Sequence, residues 1–212
     1  MARSTPPDLE SVLTAGLKAL QLPTDCAPRL LAFQAELEKW NFTYNLTAIR
    51  DPREMVIKHL LDSLTVRPLL RGRVLDVGAG AGLPCIPVSI VAPELELVGI
   101  DSVGKKVRFM RHAQRALGLS NFEPLEGRVE ELPATQPFDT ITSRAFASLT
   151  DFFTLTRHLL SPDGQWVAMK GKLTADELAG IPPDVELIET RTLSVPGLNE
   201  ARHAVIARPR KP

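Results

Sequence analysis

The stretch Val74-Leu75-Asp76-Val77-Gly78-Ala79-Gly80-Ala81-Gly82 runs an apolar, strand-like segment into three alternating glycines, and Pro84 stands where a helix would begin. Glycines there let the backbone turn tightly and let a ligand approach where a side chain would block it. A plain strand–helix turn is the alternative, but three alternating glycines after a buried strand are unusual without a ligand. Dinucleotide sites space their glycines Gly-x-Gly-x-x-Gly, so that a pyrophosphate rests on the following helix N-terminus. Here the spacing is Gly-x-Gly-x-Gly followed by Leu83-Pro84. Asp76, just before the loop, would repel a pyrophosphate but can pair with the ammonium of a methionine moiety. Spacing and charge together favour S-adenosylmethionine as the ligand, with Gly78 and Gly80 against it.

Further candidates stand at the ends of later strand-like runs. Asp101 ends the second run; its carboxylate can accept from ribose hydroxyls or cap the helix after Ser102. Val129 and Glu130 follow the third run, at the turn that faces an adenine in such folds; Glu130 reads alternatively as a first-turn helix acid. Arg144 follows the fourth run, at the carboxyl edge where substrates bind open α/β sheets, and reads either as a fixed cation beside the cleft or as a surface ion pair. The fourth strand carries no Asn/Asp-Pro-Pro-Tyr motif for amino methylation and no Pro-Cys nucleophile for cytosine C5 methylation; Pro84-Cys85 lies in another loop.

The elements that must position these residues follow from periodicity. Residues 8–71 read as helical: Asp8 opens a helix with Val12, Leu13, Leu17 and Leu20 on one face. Asp25 opens a second with Leu30, Leu31, Phe33, Leu37 and Trp40. Asp51-Pro52 opens a third with Met55, Val56, His59, Leu60, Leu64 and Val66. From Arg73 the rhythm changes. Strands are predicted at 74–77, 95–100, 122–126, 138–141 and 165–169, with helices at 84–91, 103–117, 129–132, 149–160 and 175–179. Alternation of this kind predicts a parallel sheet with helices on both faces. The runs 185–193 and 204–207 have no helix between them and predict a terminal antiparallel hairpin. The expected fold is α/β: a seven-stranded, mostly parallel Rossmann-like sheet of the class I S-adenosylmethionine-dependent methyltransferase type. Residues 1–71 are expected to form an N-terminal helical cap and residues 72–212 the core.

With 212 residues, 44% of them hydrophobic, the chain suits one globular unit with a sizeable core. Its 25 basic and 25 acidic residues cancel, so net charge points to neither nucleic acid nor membrane. Cys26 and Cys85 fit no metal spacing, no metal is expected, and two lone thiols suit a reducing cytoplasm. The stretch Met1–Glu10 carries no apolar signal core, and no run approaches the ~18 apolar residues of a membrane helix. The basic residues Lys105, Lys106, Arg108, Arg111 and Arg115, and those flanking the cap (Arg50, Arg53, Lys58, Arg67, Arg71 and Arg73), read either as solvated faces or as a phosphate-contacting stripe.

Taken together, these residues resemble the RsmG family, also called glucose-inhibited division protein B (GidB). The resemblance covers about residues 30 to 208. It is carried by Trp40-Asn41, Tyr44-Asn45-Leu46-Thr47-Ala48-Ile49-Arg50, His59-Leu60-Leu61-Asp62-Ser63-Leu64, the glycine loop through Pro87, and Gly104-Lys105-Lys106-Val107-Arg108-Phe109. Arg128-Val129-Glu130, Ser143-Arg144-Ala145-Phe146, Met169-Lys170-Gly171 and Glu200-Ala201-Arg202-His203 complete it. Ala81 stands where the family often has proline, and Cys85 where it often has glycine; both are small. The resemblance implies methyl transfer from S-adenosylmethionine to N7 of a guanine, guanine 527 of 16S rRNA, and cofactor contacts at Gly78, Leu83, Val129, Glu130 and Arg144. The implied partner is 16S rRNA, the small ribosomal subunit or an assembly intermediate, with neither membrane nor DNA as partner.

Guanine N7 already carries a free lone pair, so no general base is expected, in keeping with the absence of an evident Asp–His pair or nucleophilic cysteine near the cleft. Alignment of the purine against the methyl donor would carry the rate. Arg144, Lys170, Arg202 and His59 are the candidate substrate contacts. His59 and Asp62 can face the cleft, although a structural hydrogen bond is the simpler role for them. A methyltransferase acting on another RNA, a protein or a small molecule would share the cofactor residues but not the blocks around Tyr44, His59 and Ser143.

Overall fold

The computed structural model describes residues 7–144 and 146–211. The expectation for the first residues of the chain, and that for Ala145 within its block, lie in part or wholly outside the described residues.

Two helices open the chain, α1 (Pro7–Ala19) and α2 (Ala27–Tyr44). A continuous helical run follows, changing pitch from α3 (Pro52–Met55) through a π-helical segment (Val56–Leu61) to α4 (Asp62–Leu64). The start of that run is the one the sequence marks most plainly. The Asp51 carboxylate accepts from the Glu54 N–H at 2.8 Å, with Pro52 at the first helical position. The other two expected caps are corrected. Asp8 lies inside α1 rather than before it, and α2 begins after Cys26, which makes no side-chain cap, instead of at Asp25. Pro28 supplies the missing start signal, because the first turn of a helix has no use for the N–H it lacks.

The remainder alternates as the apolar runs predict. The elements are β1 (Arg73–Val77), α5 (Cys85–Val91), β2 (Glu96–Asp101), α6 (Gly104–Ala116), β3 (Phe122–Glu126), β4 (Phe138–Ser143), α7 (Leu149–Thr156), β5 (Leu160–Lys170), α8 (Ala175–Ala179), β6 (Val185–Thr192) and β7 (His203–Pro209). Residues 129–131, read as helix, form a single 3₁₀ turn. β5 starts earlier than expected, at Leu160. A register shift between Phe138 and Thr140 lets Leu160 pair with Phe138 and Gln165 with Thr140, so the Pro162–Gly164 stretch that reads as a turn is carried within the strand.

The strands form one seven-stranded sheet in the order β3-β2-β1-β4-β5-β7-β6. The first five are parallel, while β7 is antiparallel to both β5 and β6. β7 slides between its hairpin partner and β5, because its alternate residues are apolar on both faces and need cover on both. Ala204 and Ile206 join one core; Val205 and Ala207 join the other. The same alternation runs through β5, with Val167 and Met169 on one face and Trp166 and Ala168 on the other. The first face is covered by α1, α2, the 56–64 run, α5 and α6; the second by α7, whose Leu149, Phe152 and Phe153 are fully inside. The N-terminal helices thus share one continuous core with a face of the sheet. Among the described residues no helix is long and apolar enough to cross a membrane.

Candidate functional site

The switch in strand order falls between β1 and its neighbours β2 and β4, so the carboxyl ends of these three strands open onto one crevice. The glycine loop stands there. Gly78, Gly80 and Gly82 all have φ between +60° and +81°, a region that side-chain-bearing residues enter only with strain. The glycines differ in their surroundings. A Cβ on Gly78 would meet nothing within 4 Å, so the loop faces open space there. A Cβ on Gly82 would lie 2.6 Å from Ile86 Cγ1, so this glycine permits α5 to pack against the strand.

The loop is held by its own main chain. The N–H groups of Gly78 and Ala79 donate to Ile100 O (2.9 and 3.1 Å), those of Gly82 and Leu83 to Ala79 O (2.8 and 2.9 Å), and that of Gly80 to Asp101 Oδ2 (2.8 Å). A pyrophosphate cradle needs such N–H groups free. The α5 N-terminus is engaged as well, since the Cys85 N–H donates to Asp76 Oδ2 at 3.1 Å. An internal carboxylate therefore occupies the position a dinucleotide's phosphates require. Asp76 is 1% exposed, its Oδ1 has no hydrogen-bond partner, and burial pushes its carboxyl up to about 7 against the opposing pull of Cys85 and Arg144. A buried acceptor without a partner, behind a loop that leaves space over Gly78, fits a ligand bearing an ammonium group.

Asp101 does not cap α6, whose N-cap is Val103 without a side-chain bond; its Oδ1 accepts from the Val103 N–H at 2.9 Å and its Oδ2 from the Gly80 N–H at 2.8 Å, so it ties the start of α6 to the glycine loop. Lys106 lies 3.6 Å away and balances its charge. Glu130 sits in the 3₁₀ turn and pairs with Arg128 at 2.7 Å; its own backbone N–H first, and Arg128 second, hold its carboxyl below the usual value. Val129 and Leu83 are buried.

The four substrate candidates come together. Arg144, His59, Lys170 and Arg202 line one cleft of about 360 Å³, with Ile49, Lys58, Asp62 and Met169. Strand register carries this cleft to the glycine loop: Ser143 Oγ donates to Val77 O at 2.8 Å, and Arg144 and Gly78 are the next residues of the two strands. His59 comes from the π-helical segment, a wider turn that recurs at functional sites. Its Nε2 is 2.8 Å from Thr47 Oγ1, and Thr47 is itself set by Asn41 Oδ1, which accepts the Thr47 N–H at 2.9 Å. These bonds give the Asn41–Arg50 block a physical purpose. Burial, then the nearby Arg144, push the His59 imidazole down to about 4, so it is neutral at physiological pH.

Asp62, which with His59 could face the cleft or make a structural hydrogen bond, does both: it lines the cleft and is held by two arginines. Its side chain is 5% exposed, 3.2 Å from Arg202 Nε and 3.5 Å from Arg144 Nη1. Burial pushes its carboxyl up and the two guanidinium groups pull it back down. The His59–Leu64 block carries both residues, but an apolar helix pattern does not reveal which polar residue turns inward. Arg144 also donates to Lys58 O at 3.3 Å, and Arg202 pairs with Glu200 at 3.0 Å. Lys170 is engaged by Glu177 at 2.7 Å and by the Phe146 and Ala147 carbonyls, so it braces the loop after β4. Several basic residues of α6 serve the fold: Lys105 donates to Tyr44 O, and Arg111 faces Glu126 at 3.7 Å.

Residues 27–206 match the family model GidB, described as rRNA small subunit methyltransferase G. The ribosomal RNA small subunit methyltransferase G of Chromohalobacter salexigens is 53% identical over 208 residues, covering 97% of this chain and 99% of that protein. The protein of the same name from Escherichia fergusonii is 48% identical over 184 residues, covering 86% and 89%. Among solved structures, a SAM dependent methyltransferase from Aquifex aeolicus superposes with a TM-score of 0.54 at 18% identity, covering 77% of this chain and 96% of that one; it shares the fold. By sequence, the chain belongs to the GidB family of rRNA small subunit methyltransferase G enzymes.

Proposed function

We propose that this enzyme transfers a methyl group from S-adenosylmethionine to N7 of guanine 527 in 16S rRNA, within the small ribosomal subunit or an assembly intermediate. The observation that carries the reading is the junction of two unlike spaces at one sheet edge. A glycine loop with its N–H groups engaged and a buried carboxylate behind it adjoins a cleft lined by Arg144, Arg202, His59 and Asp62. Asp76, Gly78, Gly80, Leu83, Asp101, Val129, Glu130 and Arg144 would hold the cofactor. When bound, S-adenosylmethionine supplies a methyl group made electrophilic by its sulfonium.

The chain's own part is positioning. Guanine N7 needs no proton removed before it attacks, so the cleft requires no general base, and a neutral, hydrogen-bonded His59 suits that demand. Arg144, fixed between Lys58 O and Asp62, presents a cation toward base or phosphate. Residues 1–71 act in this reading as a cap, whose 56–64 run supplies one wall of the cleft. The test is to map N7 methylation in small-subunit rRNA from cells with and without the gene. Loss of the mark at guanine 527 on deletion supports the assignment, and an unchanged mark refutes it. Calorimetry with S-adenosylhomocysteine and with NAD tests the cofactor, since binding of NAD alone would sink that part.

A further inference from the structure

We infer that Asp62 is the residue that selects guanine, by accepting hydrogen bonds from the N1–H and the 2-amino group of the target base. This rests on the reading that a guanine is methylated at N7. The observation is a carboxylate 5% exposed that lines a cleft of about 360 Å³, with Oδ1 held 3.2 Å from Arg202 Nε and Oδ2 3.5 Å from Arg144 Nη1. The two guanidinium groups fix its position, and an ionised carboxylate has about four acceptor sites, so it can still accept from a ligand that brings N–H groups. The cleft volume is within the roughly 300–1,000 Å³ of small-molecule sites.

Base chemistry then narrows the ligand. A carboxylate only accepts, and guanine alone offers two adjacent donors, N1–H and N2–H₂, on its Watson–Crick edge. Adenine puts an acceptor at N1, cytosine at N3, and uracil flanks its single donor with two carbonyls. An arginine usually grips guanine through O6 and N7 together, but that grip would block the atom to be methylated. In this cleft Arg144 is tied to Lys58 O and Asp62, which leaves it O6 at most, and the acid edge becomes the place where identity is read. Binding by that edge turns N7 away from Asp62. The arrangement also acts on the rate. Methylation places a positive charge on the purine and makes N1–H a stronger donor, so the bond to Asp62 tightens as the transfer proceeds. Asp62 supplies the negative group that Arg144, with the wrong sign, does not.

A double-mutant cycle between protein and base tests this. Small subunits reconstituted with 16S rRNA carrying guanosine or inosine at the target are methylated by the wild-type protein and by Asp62→Asn. Inosine lacks only the 2-amino group. The wild-type protein should lose roughly 10- to 100-fold in kcat/KM on inosine, the range for one hydrogen bond to a charged group. Asp62→Asn should lose a similar factor on guanosine, with most of it in kcat, and little more on inosine. Equal inosine penalties in both proteins would make Asp62 a mere counter-ion of Arg144 and Arg202 and overturn the inference. So would a wild-type protein indifferent to inosine. A second measurement is independent of the variant's folding: 1-methylguanosine at the target removes the N1 donor, and its unimpaired methylation by the wild-type protein overturns the assignment, whereas strong impairment supports it. Failure of the underlying reading is distinct, for then the wild-type protein leaves the guanosine particle itself unmethylated at N7.

Discussion

Exchanging glycines of one loop for alanine should separate stability from ligand binding. On Gly82 the new methyl group would lie 2.6 Å from Ile86 Cγ1, at a φ of +81°. Left-handed backbone costs an alanine about 1–2 kcal/mol, and overpacking a full core adds about 1–3 kcal/mol. The sum of about 2–5 kcal/mol, at about 2–4 °C per kcal/mol for a chain of this size, lowers Tm by roughly 5–15 °C. On Gly78 the φ is +68° but nothing lies within 4 Å. Only the backbone cost of about 1–2 kcal/mol applies, a fall of roughly 2–8 °C. The methyl group at Gly78 enters the space assigned to the cofactor, and crowding worth about 1–3 kcal/mol there lowers affinity roughly 5- to 150-fold. Differential scanning calorimetry and titration with S-adenosylhomocysteine read the two effects. Gly78→Ala with unchanged affinity would refute the placement of the cofactor over the loop. Gly82→Ala melting with the wild type would refute the packing argument.

Three further outcomes follow from the electrostatics. Asp76, raised to about 7, keeps its proton in the folded state where the unfolded chain has lost it, so its contribution to stability is full below pH about 4 and is lost as pH rises to 7; urea titrations across this window should show a slope that Asp76→Asn flattens, and S-adenosylhomocysteine affinity should rise over the same range as the carboxylate ionises. His59, lowered to about 4, is already neutral above pH 5, so His59→Gln should lower methyl transfer without changing the shape of its pH profile between 6 and 8, and a lost limb would reveal a proton-transfer role. With 25 basic and 25 acidic residues, binding to naked 16S rRNA fragments should be weak, with a log–log salt slope shallower than about −3, and a steep slope would contradict the preference for an assembled particle.

The parallel core is legible because short, nearly continuous apolar runs followed by glycine or an acid have few other solutions. The runs 74–77 and 95–100 match β1 (Arg73–Val77) and β2 (Glu96–Asp101) to within one residue at each end. Local capping is less dependable. Asp51 caps as its position before Pro52 demands, whereas Asp25 is passed over because Cys26 and Pro28 set the start of α2 one step later. The π-helical segment is invisible in the pattern, since an apolar face does not distinguish i→i+4 from i→i+5 bonding. That segment brings His59 and Asp62 to the cleft, so the glycine loop is readable in one motif while the cleft needs the separated blocks around His59, Arg144, Lys170 and Arg202 to meet. Lys170 and Arg202 illustrate the remainder. Both reach the cleft as expected, but which of them is held by Glu177 and which faces Asp62 depends on tertiary contacts that no local spacing encodes.

The most direct measurement of the central claim is primer-extension or mass-spectrometric mapping of small-subunit rRNA after incubation of unmethylated particles with the purified protein and isotopically labelled S-adenosylmethionine. Wild-type protein should place label at N7 of a single guanine, guanine 527, and Gly78→Arg should place none. Label at another atom or base, or label that persists with Gly78→Arg, would contradict it.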